Sequence, residues 1–211
     1  MKFRRVAGAL LATAGLIGTA GVSAVTATAE QPKPQASPSG ARSEAAAQAT
    51  ANDADAQFVR MMIPHHFQAL VMSRMAPSRG EDPELLALAD RIDVEQDLEI
   101  SMMQNWQGWH DLEVTDAEAA YQQVLQDPDL LEQMGMATPA ELDQLSASTG
   151  TDFDILYLEL MIEHHEGAMD MLVDVIINGN DTTLEGWATD MLTTQYTQIQ
   201  QMEAMLDEKT S

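Results

Sequence analysis

The pattern of apolar and polar positions predicts an all-α protein. From residue 53 onward apolar residues recur at the three- to four-residue spacing of amphipathic helices, and no segment shows the convincing alternation of a strand. A first long helix is predicted over residues 53–76, with Pro64 bending it or marking a local break. Asp82 has the character of an N-cap, and Pro83 follows at the first helical position. A second helix is therefore predicted from Asp82 to about Gly108.

The second half of the pattern repeats the first at a constant offset of 99 residues. The segment Met62-Ile63-Pro64-His65-His66 returns as Met161-Ile162-Glu163-His164-His165, and the offset holds without insertion as far as Met103 and Met202. The repeat predicts a helix over residues 152–177, a turn at Gly179 and a helix over residues 181–206. Two duplicated helical hairpins bury their apolar faces most simply as a four-helix bundle.

The segment that joins the hairpins, residues 111–148, is predicted to form a crossover insert of short helices. Thr115-x-x-Glu118 and Thr138-Pro139-x-Glu141 both have the residue pattern of a capping box at a helix start. We expect this insert to lie on one side or at one end of the bundle.

The segment before the bundle is predicted to have two parts. Residues 1–29 have a basic start, a long apolar run and an Ala27-Thr28-Ala29 cleavage pattern, which are typical of a secretory signal peptide. An uncleaved membrane anchor is the alternative, because the apolar run is long. Residues 30–52 are rich in Pro, Gln, Ser and Ala and are predicted to be a flexible linker. The bundle domain is then residues 53–208, outside the cytoplasm and, after signal cleavage, not inserted in a membrane.

The net charge and the absence of cysteine indicate which kinds of molecule the protein binds. The formal net charge is −24, and no Lys or Arg occurs between Arg91 and Lys209. Such a field repels nucleic acid and anionic membranes and concentrates cations, although it also serves simply to keep an exported protein soluble. The chain has no Cys, which excludes disulfides and a lipid-anchored Cys. These features favour a metal ion as partner and exclude nucleic acid. They leave any protein partner undefined.

The repeated histidine pairs are the candidate metal ligands. Imidazole and thioether donors without thiolate favour Cu(I) and its analogue Ag(I), whereas imidazole alone also suits Cu(II) and Zn(II). The chain has 15 Met, many of them at helical spacing from the histidines. The predicted ligands are His65, His66, His164, His165, Met62, Met72, Met161, Met169 and Met171. Alternatively, the methionines fill the core and the histidines are hydrogen-bonded structural groups.

Two glutamines are predicted to support the histidines. If each hairpin turns near its glycine, an equal rise on both helices brings Gln96 level with the first histidine pair and Gln195 level with the second. We expect them to fix the imidazole tautomers by hydrogen bonding. His110 lies outside the repeat and is expected to be a surface or capping residue. Whether the two pairs form one site or two stays open.

Known enzyme signatures do not match. His165-Glu166-x-x-Met169 resembles the zincin motif but has Met in place of the second His. No His has a Glu three residues before it, as a ferritin-type di-iron site requires. The chain is therefore predicted not to be an enzyme, with copper redox chemistry at an open coordination position as the remaining catalytic hypothesis.

These motifs resemble a known family. Asp55-x-x-Phe58-x-x-x-Met62-Ile63-Pro64-His65-His66 and its second copy are similar to the exported bacterial "domain of unknown function 305" family. The resemblance implies a ferritin-like four-helix bundle, and some members of the family are associated with binding or tolerance of copper and silver. Two departures concern the repeat itself: Gln198 stands where the first copy has Glu99, and Glu166-Gly167 where it has Phe67-Gln68. They put identical binding by the two copies in doubt.

The preferred interpretation is an exported bundle that sequesters or hands on copper, with Cu(I) favoured. The alternative is a non-catalytic extracytoplasmic module, structural or interacting, whose histidines satisfy one another and the glutamines.

Overall fold

The computed structural model describes residues 50–211, which are helical apart from turns and short loops. The elements are α1 (Asp53–Ser73), α2 (Ala76–Arg79), α3 (Pro83–Trp109), α4 (Ala117–Val124), α5 (Pro128–Gln133), α6 (Pro139–Ala147), α7 (Thr151–Asn178) and α8 (Thr182–Thr210). The all-α prediction is confirmed. The predicted signal and all but the last three linker residues lie outside the described residues. No helix within residues 50–211 is long and apolar enough to cross a bilayer.

The four long helices begin where the sequence predicts. Asn52 caps α1 with a capping box, Asp82 caps α3 ahead of Pro83, and Asp181 caps α8. The first helix differs in two ways from the prediction: it continues through Pro64 without a break, and it ends at Ser73, after which the short α2 leads into the turn.

One of the two predicted capping boxes in the insert is present. Thr138 and Glu141 form a reciprocal box at the start of α6. The box predicted at Thr115 is wrong, because Asp116 caps α4 and accepts from the Ala119 N–H. Thr115 instead exchanges hydrogen bonds with the side-chain amide of Gln107 at the end of α3.

Helices α1 and α7 form the centre of the bundle. Helix α1 packs against α3, α7 packs against α8, and α1 and α7 pack against each other. The Asp55 carboxylate on α1 accepts hydrogen bonds from the N–H groups of Asn180 and Asp181, in the turn that ends α7. The start of α1 therefore lies beside the end of α7, and the two helices are antiparallel. The short helix α4 also packs against α1.

The core has two apolar halves, one on each side of the histidines. We call them the Phe153 cluster, which includes Met72, Leu88, Tyr157 and Met161, and the Trp106 cluster, which includes Phe58, Met62, Leu172 and Leu184. Along α1 the chain passes from the Trp106 cluster through the histidine pair to the Phe153 cluster. Along α7 it passes in the opposite direction, as antiparallel helices require. The histidine pairs therefore meet at mid-height in the bundle.

Candidate metal centre

The four paired histidines form one buried layer across the bundle. All four side chains are fully buried. The rings of His65 and His164 stack with their centroids 3.7 Å apart and an interplanar angle of 31°. His66 and His165 lie further out, with ring centroids 6.2 and 6.0 Å from those of their sequence neighbours. The antiparallel packing of α1 and α7 thus brings the two pairs into one cluster.

The two inner rings use Nε2 as a hydrogen-bond donor to the backbone. His65 Nε2 lies 3.1 Å from the Met134 carbonyl oxygen, and His164 Nε2 lies 2.9 Å from the His65 carbonyl oxygen. A carbonyl oxygen can only accept. Both inner rings therefore carry their hydrogen on Nε2.

The two outer rings donate to side chains on the flanking helices. His66 Nε2 lies 2.8 Å from a carboxylate oxygen of Glu99 on α3, and His165 Nε2 lies 2.8 Å from Gln198 Oε1 on α8. The amide nitrogen of Gln198 donates to Glu95 at 2.8 Å, and a carboxylate accepts only. Glu95 therefore fixes the Gln198 amide with its oxygen toward His165. Both outer rings carry their hydrogen on Nε2.

The other nitrogen of each ring, Nδ1, is buried and has no hydrogen-bond partner among the described residues. The Nδ1 atoms of His65, His66, His164 and His165 are all inaccessible to solvent and have no hydrogen-bond partner among the described residues. In a neutral imidazole whose Nε2 carries the hydrogen, Nδ1 is an acceptor and the free metal-binding position. The layer therefore contains four unpartnered donors of an electron pair.

Burial keeps the rings of His65, His164 and His165 neutral. Loss of solvation lowers the pKa of His65 and of His164 well below the ordinary value, and repulsion from neighbouring histidines lowers both further. Burial also lowers the pKa of His165 to about 4, although the hydrogen bond to Gln198 opposes the shift. The Nδ1 atoms of these three rings are therefore not blocked by a proton at neutral pH.

The glutamines predicted to support the histidines are close to the layer but do not bond to it. Gln96 and Gln195 are buried, and Gln96 Oε1 and both amide atoms of Gln195 have no partner among the described residues. The contacts are made instead by Glu99 and Gln198, one helical turn further along. Gly80 and Gly179 lie in the turns as predicted, as the C-cap residues of α2 and α7.

The five predicted sulfur ligands are distributed on both sides of the layer. Met62 is fully buried in the Trp106 cluster, and Met72 and Met161 are fully buried in the Phe153 cluster. Met169 and Met171 are half-buried, and Met171 lines a surface cleft between α1, α5 and α7. The structure thus brings the four histidines together but spreads the methionines along the bundle.

The loop between α5 and α6 covers one side of the layer and breaks its symmetry. The side chain of Gln68 both donates to and accepts from the backbone of Ala137, at 2.8 and 2.7 Å. At the equivalent position on α7, Gly167 lets the loop approach so closely that an added Cβ would lie 2.0 Å from the Met134 carbonyl oxygen. The loop thereby delivers that carbonyl to His65 alone. In the sequence, Gln68 and Gly167 are visible only as a departure from the repeat. This difference was the one signal that the two copies have different surroundings.

The side-chain types in the layer limit what it can bind. Among residues 50–211, no three or more His, Asp or Glu side chains are arranged to hold a metal ion. The polar groups that the layer offers are single imidazole nitrogens, one from each ring.

His110 lies outside the layer, as expected. It is the C-cap residue of α3, its ring stacks on Trp106 with centroids 4.3 Å apart, and its Nε2 lies 3.3 Å from an Asp181 carboxylate oxygen. It is partly exposed and serves as a histidine control for the layer.

Three solved structures show what the chain is similar to. A DUF305 protein of Streptomyces coelicolor, described as secreted, is 29% identical, with 75% of this chain and 94% of that chain covered and a TM-score of 0.65. A DUF305 fragment from Deinococcus radiodurans is 27% identical, with 75% and 98% covered and a TM-score of 0.66. CopM in its Cu(I)-bound form is 28% identical, with 73% and 96% covered and a TM-score of 0.58. CopM is also solved in Cu(II)-bound, Ag-bound and apo forms.

Comparison with curated proteins gives no match. The sequence model of the family "Domain of unknown function (DUF305)" matches residues 55–206, which include the four histidines, all of α3 and α7, and α1 and α8 apart from their outer ends. The chain belongs to the DUF305 family.

Proposed function

We propose that this protein is an extracytoplasmic binder of monovalent copper or silver, which sequesters the ion or hands it on. The ion is held at the histidine layer by Nδ1 of the paired histidines together with buried methionine sulfur. CopM, a relative of similar fold, is known in Cu(I)-, Cu(II)- and Ag-bound forms, which supports this choice of ion.

The observation that carries the proposal is the set of unpartnered Nδ1 atoms. In each of the four fully buried rings Nε2 donates to a fixed acceptor, and Nδ1 has no partner among the described residues. A buried polar atom without a partner costs about 1–3 kcal/mol. The Nδ1 lone pairs can bind a metal ion without any change in the surrounding hydrogen bonds.

Methionine thioethers are the soft ligands of the proposed site. Met62 precedes His66 by four residues and Met161 precedes His165 by four, so each pair shares one face of its helix. Both methionines are fully buried. Because histidine side chains on a helix lean toward its N-terminus, they lean toward these methionines. We therefore name Met62 and Met161 as the first sulfur ligands to test, ahead of Met72, Met169 and Met171.

A titration of the purified full chain tests the proposal. Ag(I) binding is measured by calorimetry for the wild type, for H65A/H164A and for the control H110A. We expect H110A to bind as the wild type does and H65A/H164A to lose at least about tenfold in affinity, equivalent to 1.4 kcal/mol. Circular dichroism checks that each variant is folded. Equal affinity in a folded H65A/H164A variant would rule out the histidine layer as the metal site.

A second candidate function is a structural or interaction module without metal. It is favoured by the fact that every Nε2 hydrogen already has an acceptor within the protein. In that case the layer would serve to fix the register of α1 on α7. The same titration separates the two candidates, since a structural layer gives no specific Ag(I) binding in the wild type and therefore no difference between the wild type and H65A/H164A.

A further inference from the structure

A surface cleft lined by methionines lies next to the histidine layer. It has a volume of about 460 Å³ and lies between the first half of α1, the end of α5 and the second half of α7. Met61, Met134 and Met171 are among its lining residues. The sequence pattern did not predict that these three methionines lie together, because they come from three separate elements.

The three methionines belong to one packed group. Met134 is buried in a small apolar cluster with Tyr121 and Leu131, and half-buried Met61 and Met171 pack against that cluster. A thioether is a soft ligand that needs no deprotonation, and several together are selective for Cu(I) and Ag(I) over harder ions. The cleft thus differs from the histidine layer in opening to solvent and in offering thioethers without imidazole.

The rim of the cleft is acidic. Asp53, Asp170 and Asp174 line it, and no Lys or Arg is among its lining residues. The Asp174 carboxylate accepts from the Asn178 amide, while no hydrogen bond or ion pair is formed by the side chain of Asp170 among the described residues. Carboxylates at the mouth of a cleft raise the local concentration of cations. They would draw a monovalent ion toward the sulfur atoms below.

Met134 connects the cleft to the layer. Met134 is one of the residues that line the cleft, and its carbonyl oxygen accepts the hydrogen bond from His65 Nε2 at 3.1 Å. Gly167, which lies against this carbonyl, also lines the cleft. Met134, which is hydrogen-bonded to His65 through its backbone, is therefore also one of the three methionines at the cleft.

We infer that Met61, Met134 and Met171 form a solvent-accessible capture site for a soft monovalent cation, distinct from the histidine layer. The inference rests on the proposed function for the identity of the ion, and it adds an entry point for that ion. An ion bound at the cleft is separated from His65 only by the Met134 loop.

Methionine-methyl NMR of the full chain with Ag(I) as the probe tests this inference. The protein is labelled with 13C at the methionine methyl groups, and signals are assigned by single Met→Leu variants, which remove sulfur at nearly constant volume. We expect the methyl signals of Met61, Met134 and Met171 to shift together on addition of Ag(I). They should also do so in H65A/H164A, because the cleft does not depend on the histidines.

Stoichiometry gives a second readout with a matched control. M61L/M134L/M171L should bind one equivalent of Ag(I) fewer than the wild type, whereas M75L/M102L/M205L, which alters three methionines away from the cleft, should bind the full number. Unshifted methyl signals while Ag(I) binds elsewhere would overturn the inference, as would full stoichiometry in the cleft variant. If the cleft variant does not fold, the wild-type methyl shifts decide alone.

The two proposals fail in different ways. Loss of the cleft signals with retained dependence on His65 and His164 refutes the capture site and leaves the histidine layer. Shifts at the cleft together with unchanged binding in H65A/H164A refute the histidine layer and leave the cleft as the metal site.

Discussion

At the scale of single residues, the orientation of the imidazole rings distinguishes this layer from an ordinary buried polar cluster. Buried polar groups in proteins are nearly always paired. Here one nitrogen of each ring is paired and the other is not, in all four histidines. A layer that only stabilised the bundle would gain from a donor to Nδ1, and buried Gln96 and Gln195 have amide groups that could be placed for it. The amides do not make this contact.

The lowered pKa values predict that the metal-free protein loses stability in mild acid. His65, His164 and His165 have folded-state pKa values below the unfolded value of about 6.5. Their neutral forms therefore favour the folded state above that pH. As the pH falls below about 6.5, the unfolded chain takes up protons that the folded chain does not. Each such histidine then lowers the free energy of unfolding by about 1.4 kcal/mol per pH unit, until the folded pKa is reached.

Urea unfolding at several pH values between about 7.5 and 5 measures this slope, in a range where most carboxylates stay ionised. H65N/H164N should show a shallower slope than the wild type, and H110N should show the wild-type slope. A free energy of unfolding that stays constant over this range in the wild type would contradict the burial of neutral histidines.

The sequence selected the four histidines that the structure brings into one layer, but not the side chains that they bond to. The paired His residues recur at a fixed offset, and this repetition was sufficient to select them. Glu99 and Gln198 lie one helical turn beyond Gln96 and Gln195 on α3 and α8. Which of these neighbouring polar side chains reaches an imidazole depends on how the two helices of each hairpin are aligned, and a local sequence pattern does not specify that alignment to within one turn.

At the scale of helices, the two hairpins hold each other by reciprocal contacts between a helix start and a turn. The Asp55 carboxylate accepts from the turn before α8, and the Asp154 carboxylate, 99 residues later, accepts from the N–H groups of Glu81 and Asp82 before α3. Both aspartates are fully buried. Each contact satisfies backbone donors that the start of a helix would otherwise leave unpaired.

Loss of either carboxylate should destabilise the bundle. We expect D55N and D154N each to lower the free energy of unfolding by about 1–3 kcal/mol, because one amide group then faces backbone donors without accepting. The loss should be larger for D154N, since Asp154 also lies 3.3 Å from Lys209 Nζ. Urea denaturation measures both, with exposed D90N as the control. Equal stability of D55N and D90N would show that the contact contributes nothing.

The approach of the α5–α6 loop to α7 leads to a second prediction about elements. In G167A the new Cβ would meet the Met134 carbonyl oxygen, and the backbone would have to move. We expect a loss of about 1–3 kcal/mol from overpacking. G186A is the matched control, because nothing lies within 4 Å of its added Cβ and Gly186 is exposed on α8. It should gain about 0.5–1 kcal/mol from helix propensity.

Thermal unfolding of both glycine variants gives the comparison directly. Stabilisation of G167A to the same extent as G186A would show that the loop does not lie against α7. The long helices and most caps could be predicted because Asp, Thr, Pro and Gly signals are local. The position of this loop could not, since it depends on Gln68 and Gly167, which lie on different helices and become neighbours only after folding.

At the scale of the whole molecule, antiparallel packing of two similar hairpins produces a single histidine layer. The sequence left one site and two sites equally open, because a repeat specifies what each half contains and not how the halves meet. The structure places His65 and His164 in ring contact between the two apolar clusters. Two equivalent sequence motifs have thus become one cluster, which the α5–α6 loop covers on one side only.

The central claim is that the histidine layer presents bare Nδ1 atoms to a soft metal ion. Long-range 1H–15N NMR of the imidazole rings in the full chain tests it most directly, first metal-free and then with Ag(I). We predict that His65 and His164 carry their hydrogen on Nε2 in the metal-free protein, and that their Nδ1 signals move on binding while Nε2 stays protonated. Hydrogen on Nδ1 in the metal-free protein, or Nδ1 signals that do not respond to bound Ag(I), would contradict the account.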